Sequence, residues 1–316
     1  MKFGYALSCE EYGPQELIEQ AKLAEETGFE ALWISDHFHP WNDAQGQSPF
    51  VWSVIGGISQ VCSLPVTTAV TCPTIRIHPV IVAQAAATSA VLTGGRFTLG
   101  VGTGENLNEH VLGDRWPNEA QRLEMLAEAV EVIRLLWSGE QVSHEGAHYD
   151  VDRARLYTLP DEPPPIFVSA FGPRALEVAA RIGDGFITTS PDAEMLNTFR
   201  ELAGRNLPAK VSTKGSYAPT KEEGVELAHR LWSNGGLPGE LAQELPTPGH
   251  FEQASQLVTM ESTEKSVPCG PDPQAYIENL RPFVEAGFDE VYVTNMGPHW
   301  ADAMRMYADQ ILPEFR

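Results

Sequence analysis

The feature that most constrains the fold of this chain is an uninterrupted alternation of short apolar segments with helical segments. Eight segments have the composition of buried strands, and nearly all of them are followed by a segment with helical periodicity. They lie at 3–8, 31–36, 65–72, 97–101, 166–170, 186–190, 210–218 and 290–295. This alternation indicates a parallel sheet, and the count of eight favours a closed (β/α)8 barrel over an open sheet. Because no linker divides it, we predict one α/β barrel domain over residues 1–316.

Helical periodicity is clearest at 118–137, where Leu126, Val130 and Ile133 recur on one face. Further helices are predicted at 15–27, 49–62, from Pro79 to the glycines at 94–95, and at 174–182, 192–203, 272–286 and 301–312. Residues 140–160 have the pattern of a hairpin outside the alternation. From 233 to 270 the periodicity fades, and a long irregular insert of this kind is often a functional lid.

Composition and charge exclude several classes of function. The 316 residues carry a formal net charge of −22, which opposes binding to nucleic acid and to anionic membrane surfaces. No apolar run approaches the roughly 18 residues of a membrane-spanning helix, and the N-terminus has no signal-peptide character. The four cysteines form neither a Cys-x-x-Cys pair nor a zinc spacing. We therefore expect free thiols, a cytoplasmic location and no metal site.

The loop that leaves the second strand concentrates chemically active side chains. Asp36, His37, His39 and Trp41 follow the apolar run at 31–34, and barrel enzymes place their chemistry at such strand exits. A neutral histidine is a suitable general base near pH 7. A lone histidine would more often only hydrogen-bond its loop. Four such residues together favour a catalytic site.

The loop after the fourth strand is rich in glycine and ends in an acid. Its sequence over 100–105, GVGTGE, imitates a dinucleotide-binding fingerprint, but the third glycine is misplaced and no acid follows at the required interval. We interpret the glycines as allowing close backbone approach by a flat ligand. Glu105 on its own would be a solvated loop acid, whereas opposite His37 it becomes an acid/base partner.

Two other strand exits carry weaker signals. We do not expect Cys72 to be catalytic, because no base adjoins it in the sequence. The segment 170–174, AFGPR, opens a helix whose free N–H groups suit a phosphate, with a routine helix start as the equal alternative. The remaining histidines that we interpret as structural or surface residues are His78, His144 and His299.

Together these motifs resemble a known family. The sequence is similar to the bacterial luciferase-like superfamily, and within it to the coenzyme F420-dependent oxidoreductases related to glucose-6-phosphate dehydrogenase. The resemblance covers nearly the whole chain and includes the segments SDHFHPW, TCPT, GRFTLGVGTGENLNEHVLG and GDGFITTS and the last strand. It implies a barrel with coenzyme F420, an 8-hydroxy-5-deazaflavin, lying in its mouth. It also implies a homodimer that acts on a small-molecule substrate.

The resemblance implies catalytic roles for three residues. His37 matches the base that removes the alcohol proton, and Trp41 matches the residue that stabilises the developing hydride-transfer state. Glu105 matches the acid near the deazaflavin ring. Together with Thr189 and Asp192, these three residues are also our predicted substrate contacts.

The resemblance also implies a set of cofactor contacts. A non-proline cis peptide bond supports the deazaflavin face in these barrels, and it would fall between Ala69 and Val70. Cys72 replaces a threonine of the family, which removes a hydroxyl group at that place. We assign to cofactor binding the residues Asp36, Ala69, Val70, Cys72, Gly104, Asn108, Ala170, Phe171 and Gly172.

Three departures from the family concern the substrate. Asp192 stands where the sugar-phosphate dehydrogenases have a lysine, and the region 244–246, where they have a second lysine, holds no cation. Only Lys265 keeps a third basic position. Because a phosphate dianion needs charge-assisted partners, we expect a neutral alcohol, a sugar or a larger hydroxylated compound rather than glucose 6-phosphate.

Two alternatives remain open on the sequence alone. One is an FMN-dependent monooxygenase of the same superfamily, which the Asp36-His37 pair and the GTGE-x-x-Asn pattern disfavour. The other is a protein that binds deazaflavin without turnover, because a barrel can keep its mouth and lose its chemistry.

Overall fold

The computed structural model describes residues 1–316, and its central element is a closed barrel. The ten strands are β1 (Lys2–Leu7), β2 (Ala31–Ile34), β3 (Val66–Thr68), β4 (Phe97–Val101), β5 (Val142–Glu145), β6 (Asp150–Ala154), β7 (Ile166–Ser169), β8 (Gly185–Thr188), β9 (Ala209–Gly215) and β10 (Glu290–Asn295). Eight of them pair in parallel in the order β1-β10-β9-β8-β7-β4-β3-β2, and β1 closes the barrel by pairing with both β2 and β10. The other two, β5 and β6, form the antiparallel hairpin expected at 140–160. The predicted (β/α)8 barrel is confirmed.

Thirteen α-helices surround the barrel or cover its C-terminal end. They are α1 (Pro14–Glu26), α2 (Val51–Ile58), α3 (Pro79–Leu92), α4 (Asn106–Glu109), α5 (Glu119–Leu136), α6 (Pro173–Ile182), α7 (Ala193–Ala203), α8 (Lys221–Trp232), α9 (Leu241–Glu244), α10 (Pro248–Ser255), α11 (Met260–Ser266), α12 (Pro273–Glu285) and α13 (Trp300–Met306). Proline begins α1, α3, α6, α10 and α12, where its missing N–H is not needed and its fixed φ suits a helix. None of the thirteen combines the length and the apolar character that a membrane crossing requires.

Several element boundaries differ from those that the sequence predicts: α2, β2 and β9 end two to four residues early, and two larger differences follow. The strand expected at 65–72 is interrupted, because β3 ends at Thr68 and only an isolated bridge from Thr71 to Val101 continues the pairing. The helix expected at 301–312 stops at Met306 and continues as a π turn over Tyr307–Ile311. Neither change alters the order of the strands.

The segment 233–270 is more regular than the sequence predicts. It contains a 3-10 turn (Ser233–Gly236) and the helices α9, α10 and α11, which have 4, 8 and 7 residues. Side-chain caps begin two of them, since Thr247 accepts from the backbone N–H of His250 and Thr259 from that of Ser262. Helices this short do not show a clear apolar period, so the pattern predicts a loop.

The interior of the barrel is filled with side chains at its N-terminal end. Lys210 on β9 reaches across the barrel, and its Nζ lies 2.8 Å from Thr67 Oγ1 on β3 and 3.1 Å from Glu290 Oε2 on β10. Trp33 and Tyr292 pack edge to face with their ring centroids 5.0 Å apart. The strand exits at the C-terminal end, which we call the mouth, are therefore where a ligand can enter.

Candidate active site

One buried amide, that of Asn108, joins two loops of the mouth. Its Oδ1 accepts from the backbone N–H groups of Phe38 (2.9 Å) and His39 (3.1 Å) in the loop after β2. Its Nδ2 lies 3.2 Å from His37 Nδ1 and 3.3 Å from Glu105 Oε2. The amide therefore brings together the two residues that the sequence pairs as base and acid. These contacts give Asn108 a positioning role, where the resemblance implies a cofactor contact.

The imidazole ring of His37 lies between a backbone carbonyl group and a carboxylate. Its Nδ1 is 3.1 Å from the carbonyl oxygen of His39, and its Nε2 is 3.3 Å from Glu10 Oε1. A protonated Nδ1 donates to His39, whereas an unprotonated Nδ1 accepts from the amide of Asn108. The ring is thus held in one orientation in either tautomer.

Glu10 is a functional candidate that our sequence reasoning missed. It is buried in the loop after β1, and its Oε2 accepts from the hydroxyl groups of Ser8 (2.8 Å) and Ser35 (2.7 Å). Burial raises the pKa of Glu10, but the charge of His37 and the hydrogen bond from Ser35 lower it by more, so the pKa lies below its usual value. An ionised carboxylate beside the ring stabilises the positive charge that a histidine gains when it takes a proton.

Asp36 uses both of its carboxylate oxygens inside the protein. Oδ2 accepts from Thr71 Oγ1 at 2.8 Å, and Oδ1 accepts from Arg76 Nη2 at 2.9 Å. Arg76 also pairs with Glu109 at 3.5 Å, and burial raises the pKa of Glu109 to about 7 even though Arg76 lowers it. This buried cluster holds the loop after β3 against its two neighbours. The structure therefore gives Asp36 a positioning role, and the cofactor contact implied by the resemblance stays a prediction.

Trp41 forms an aromatic wall of the mouth. Its ring lies 5.0 Å from that of His37 and 5.1 Å from that of Phe251 on α10, measured between centroids. Phe251 is completely buried, so the segment 233–270 packs directly on this wall. Gln45 of the same loop donates from Nε2 to the carbonyl oxygen of Leu231 in α8 at 2.8 Å. The late segment and α8 together cover the loop after β2.

The glycines after β4 serve the packing of the protein itself. A Cβ at Gly100 would lie 1.9 Å from the carbonyl oxygen of Thr68, and one at Gly104 would lie 2.6 Å from Cys72 Sγ. Gly104 also has a φ of +74°, which a side chain rarely adopts. At both positions the neighbouring strand exit occupies the space that a side chain would need, and the interpretation from sequence, close approach by a ligand, is thus corrected at Gly100.

A cleft of about 290 Å³ opens beside Glu105 at the exits of β3, β4 and β7. The peptide bond between Ala69 and Val70 at its edge is cis. Backbone and small side chains make up much of its lining, so a planar ring system can lie against it. The predicted cofactor residues that line the cleft are Val70, Gly104, Ala170, Phe171 and Gly172.

Cys72 lies beneath the surface of this cleft rather than on it. It is buried, and its Sγ is 3.0 Å from the hydroxyl oxygen of Thr74. Burial raises the pKa of the Cys72 thiol well above its usual value, and Glu109 adds to the effect. The thiol is therefore held in its unreactive protonated form.

The outer rim of the cleft is held by a contact from the late segment, which we call the rim latch. Glu244 of α9 accepts through Oε1 from Arg122 Nη1 at 3.2 Å, and its backbone carbonyl accepts from Asn106 Nδ2 at 2.9 Å. The Nε of Arg122 is buried without a hydrogen-bond partner. The latch keeps α9 over the loop that carries Glu105.

The residues that the sequence assigns to the substrate are only partly brought together. Asp192 caps α7, because its Oδ1 accepts from the backbone N–H groups of Glu194 (2.9 Å) and Met195 (3.0 Å). Thr189 is exposed just after β8. Lys265 lies on the surface of α11 in an ion pair with Glu261. His37, Trp41 and Glu105 share one site, whereas helix capping explains Asp192 without a substrate.

A second residue that our sequence reasoning missed is Lys214, near the end of β9. In the sequence it only weakened the strand pattern, yet in the structure it is half-buried with its Nζ 2.9 Å from the ring centroid of Trp232. Glu11 accepts from the indole N–H of Trp232, and burial raises the pKa of Glu11 to about 7. Lys214 lies at the C-terminal end of one barrel strand and the glutamates follow another, and this position at strand exits is the signal that would have found them.

Comparison with known proteins agrees with this geometry. A family model described as luciferase-like monooxygenase matches residues 1–290. The F420-dependent glucose-6-phosphate dehydrogenases of Nakamurella multipartita and Microbacterium testaceum are 36% and 34% identical over 329 residues, spanning 100% of this chain and 97% and 98% of theirs. The resemblance stated from the sequence motifs is therefore confirmed.

A solved structure supports the comparison at the level of the fold. An F420-dependent secondary alcohol dehydrogenase, in complex with an F420-acetone adduct, superposes with a TM-score of 0.91 at 29% identity. The match covers 100% of this chain and 99% of that one.

Proposed function

The chain belongs to the luciferase-like monooxygenase family, and from this premise we propose that it is a coenzyme F420-dependent oxidoreductase that moves hydride between an alcohol and the deazaflavin. The observation that carries the proposal is the arrangement of His37. Its ring has a buried carboxylate, Glu10, on one side and is linked through Asn108 to Glu105 on the other, at the edge of a cleft that suits a flat ring.

The cofactor supplies the redox chemistry when it is bound, because a deazaflavin accepts or gives two electrons as hydride. The residues that would hold its ring are those of the cleft at the exits of β3, β4 and β7, with the backbone at Val70, Gly104 and Ala170 as the surface under it. The resemblance and the F420-dependent relatives support this cofactor.

The protein's own part is to move protons and to exclude water. His37 takes the hydroxyl proton of the alcohol as the C–H bond gives up hydride, and Glu10 beside its Nε2 stabilises the imidazolium that results. Glu105 holds a proton on the cofactor side, and Trp41 backed by Phe251 closes the pocket to solvent. The same residues serve the reverse reaction, in which a carbonyl compound is reduced.

We propose a neutral alcohol as the substrate. Two relatives are named as glucose-6-phosphate dehydrogenases. In this chain, however, the positions at which a phosphate group would be bound have other roles. Asp192 caps a helix, Glu244 belongs to the rim latch, and Lys265 is a surface residue. The similar secondary alcohol dehydrogenase supports a substrate without a phosphate.

The family resemblance also supports a homodimer and a cytoplasmic location, and we include both in the proposal. Light scattering on the purified protein tests the first. A mass of twice 34.6 kDa is expected, and a monomer at micromolar concentration contradicts it.

The decisive experiment is anaerobic mixing of the protein with oxidised F420 and a panel of alcohols and sugars, with and without phosphate. Reduction of the cofactor by a neutral secondary alcohol is expected. In the His37→Ala variant kcat falls by about 10²- to 10⁴-fold, because the base is lost, while cofactor affinity stays near that of the wild type. His299→Ala is the matched control, because His299 pairs with Glu223 outside the site.

Three outcomes contradict parts of the proposal. Fastest turnover of glucose 6-phosphate contradicts the neutral substrate. A bound flavin that consumes oxygen supports the FMN-dependent monooxygenase instead. Tight binding of F420 without reduction by any alcohol supports a protein that binds deazaflavin without turnover.

A further inference from the structure

The ammonium group of Lys214 points into the mouth of the barrel. Lys210, on the same strand, reaches Thr67 on the opposite side of the barrel, so its side chain lies on the inner face. Residues separated by an even number along a strand share a face. Lys214 therefore follows Lys210 on the inner face, one layer nearer to the exit, and its neighbours Trp232 and Glu10 belong to the mouth.

This ammonium group has no hydrogen-bond acceptor in the protein. Its one close contact is the face of Trp232, with Nζ 2.9 Å from the ring centroid. The two glutamates nearest to it are occupied. Glu10 binds two hydroxyl groups and faces His37, and Glu11 accepts from Trp232 and from the backbone N–H of Gly297 at 2.8 Å.

Lys214 nevertheless carries its charge at neutral pH. Burial lowers its pKa to about 8, and Glu10 and Glu11 act in the opposite direction. This half-buried ammonium group is therefore a charged donor that has no acceptor within the protein. An oxygen atom of a bound ligand would supply the acceptor.

We propose that Lys214 binds a second oxygen atom of the substrate and so selects polyhydroxylated alcohols over simple ones. The inference rests on the proposed function, because His37 must hold the hydroxyl group that is oxidised. Glu10 lies beside His37 and close enough to Lys214 for each to alter the other's pKa. A diol or polyol whose oxidised hydroxyl group lies at His37 offers a second oxygen atom to Lys214.

The charge around Lys214 defines the class of ligand further. A hydroxyl or carbonyl oxygen accepts from the ammonium group without bringing a new charge. A phosphate dianion would add two negative charges beside Glu10 and Glu11, and Lys214 alone would have to balance them. The site thus suits neutral diols, polyols and hydroxyketones.

The test compares cyclohexane-1,2-diol with cyclohexanol, which share a ring and differ by one hydroxyl group. In wild-type protein loaded with F420 we expect kcat/KM to be higher for the diol by about tenfold or more, as for other sites that bind a substrate hydroxyl group. In Lys214→Met most of that preference is lost, mainly through KM, because a charge-assisted hydrogen bond is lost. Lys214→Arg restores part of it. Lys265→Met, a surface lysine on α11, is the matched control and keeps the preference.

Calorimetric titration of the F420-loaded protein with the same two compounds separates this inference from the proposed function. If no alcohol reduces the cofactor, the proposed function fails, yet weaker binding of the diol to Lys214→Met still supports the subsite. The role of Lys214 is overturned if a Lys214→Met variant that folds and binds F420 normally loses affinity equally for the two compounds, or if it keeps the wild-type preference for the diol.

Discussion

Lys210 and Lys214 lie on the same face of strand β9, but their surroundings differ. Lys210 is buried deep in the barrel, donates to Thr67 at 2.8 Å and pairs with Glu290 at 3.1 Å. Lys214, one layer nearer to the mouth, has only the ring of Trp232 and no acceptor. Burial lowers the pKa of both. Lys210 therefore finds its hydrogen-bond acceptors within the protein, whereas Lys214 remains available for a ligand that enters the mouth.

The same contrast separates the two ends of the barrel. At the N-terminal end, charged side chains find partners on neighbouring strands, and packing is enough to explain them. In the mouth, neutral hydrogen-bonding groups hold Glu10, His37 and Glu105 in place. Each of these three side chains directs an ionisable atom at another residue of the site. Charged groups that are paired within the fold contribute to stability, whereas charged groups without a partner are available for catalysis or ligand binding.

The largest effect on stability is expected from Lys210→Met. This change removes the nearer cation of Glu290 and leaves only Lys2 at 3.9 Å, and breaking a buried pair from one side costs up to about 3–5 kcal/mol of unfolding free energy. Lys214→Met removes no pair and changes the free energy by less than about 1 kcal/mol. Urea unfolding of both variants measures the difference. Equal losses in the two variants would remove the contrast between the lysines.

A smaller effect, on turnover, is expected from Glu10→Gln. The amide keeps the hydrogen bonds but cannot balance an imidazolium, so kcat falls by about 10- to 100-fold at nearly constant cofactor affinity. Glu290→Gln is the matched change at the other end of the barrel, and we expect it to lower stability while kcat is kept. Anaerobic steady-state kinetics and urea unfolding on both variants provide the check. A Glu10→Gln variant with wild-type kcat would remove Glu10 from the mechanism.

The smallest effect is a pH dependence of stability that Lys214 contributes. Its pKa is about 8 in the folded protein and about 10.4 in an unfolded chain. Between these values the unfolded state binds a proton that the folded state has lost, so the contribution of Lys214 to the free energy of unfolding rises with pH. The groups that face it, Glu10, Glu11 and the ring of Trp232, remain in Lys214→Met.

The measurement is urea unfolding of wild type and Lys214→Met at several values between pH 7.5 and about 10.5. The wild type should gain stability relative to the variant across this interval. The gain is small because the ammonium group is only half-buried and solvent screens it. Parallel profiles would show that the environment of Lys214 does not disfavour its charge.

Much of the fold and part of the site could be predicted from local patterns in the chain. The alternation of strands and helices depends on residues that are neighbours in sequence, and it determined the barrel and the end at which loops carry chemistry. His37 and Glu105 were found because each directly follows a buried strand. The short helices at 233–270 were not found, because their start depends on single capping residues such as Thr247 and Thr259.

By itself, then, the sequence determined the barrel, the loops that meet in its mouth and the family to which the chain belongs. Only the tertiary structure decided which side chains pair there. Asn108 joins the loops after β2 and β4, Asp36 is bound by Arg76, and Glu10 rather than a solvent molecule faces His37. Hydrogen bonds and ion pairs depend on distances of about 3 Å between residues far apart in the chain. A periodic pattern contains no information on such distances, so Lys214 could be recognised as unpaired only in the folded barrel.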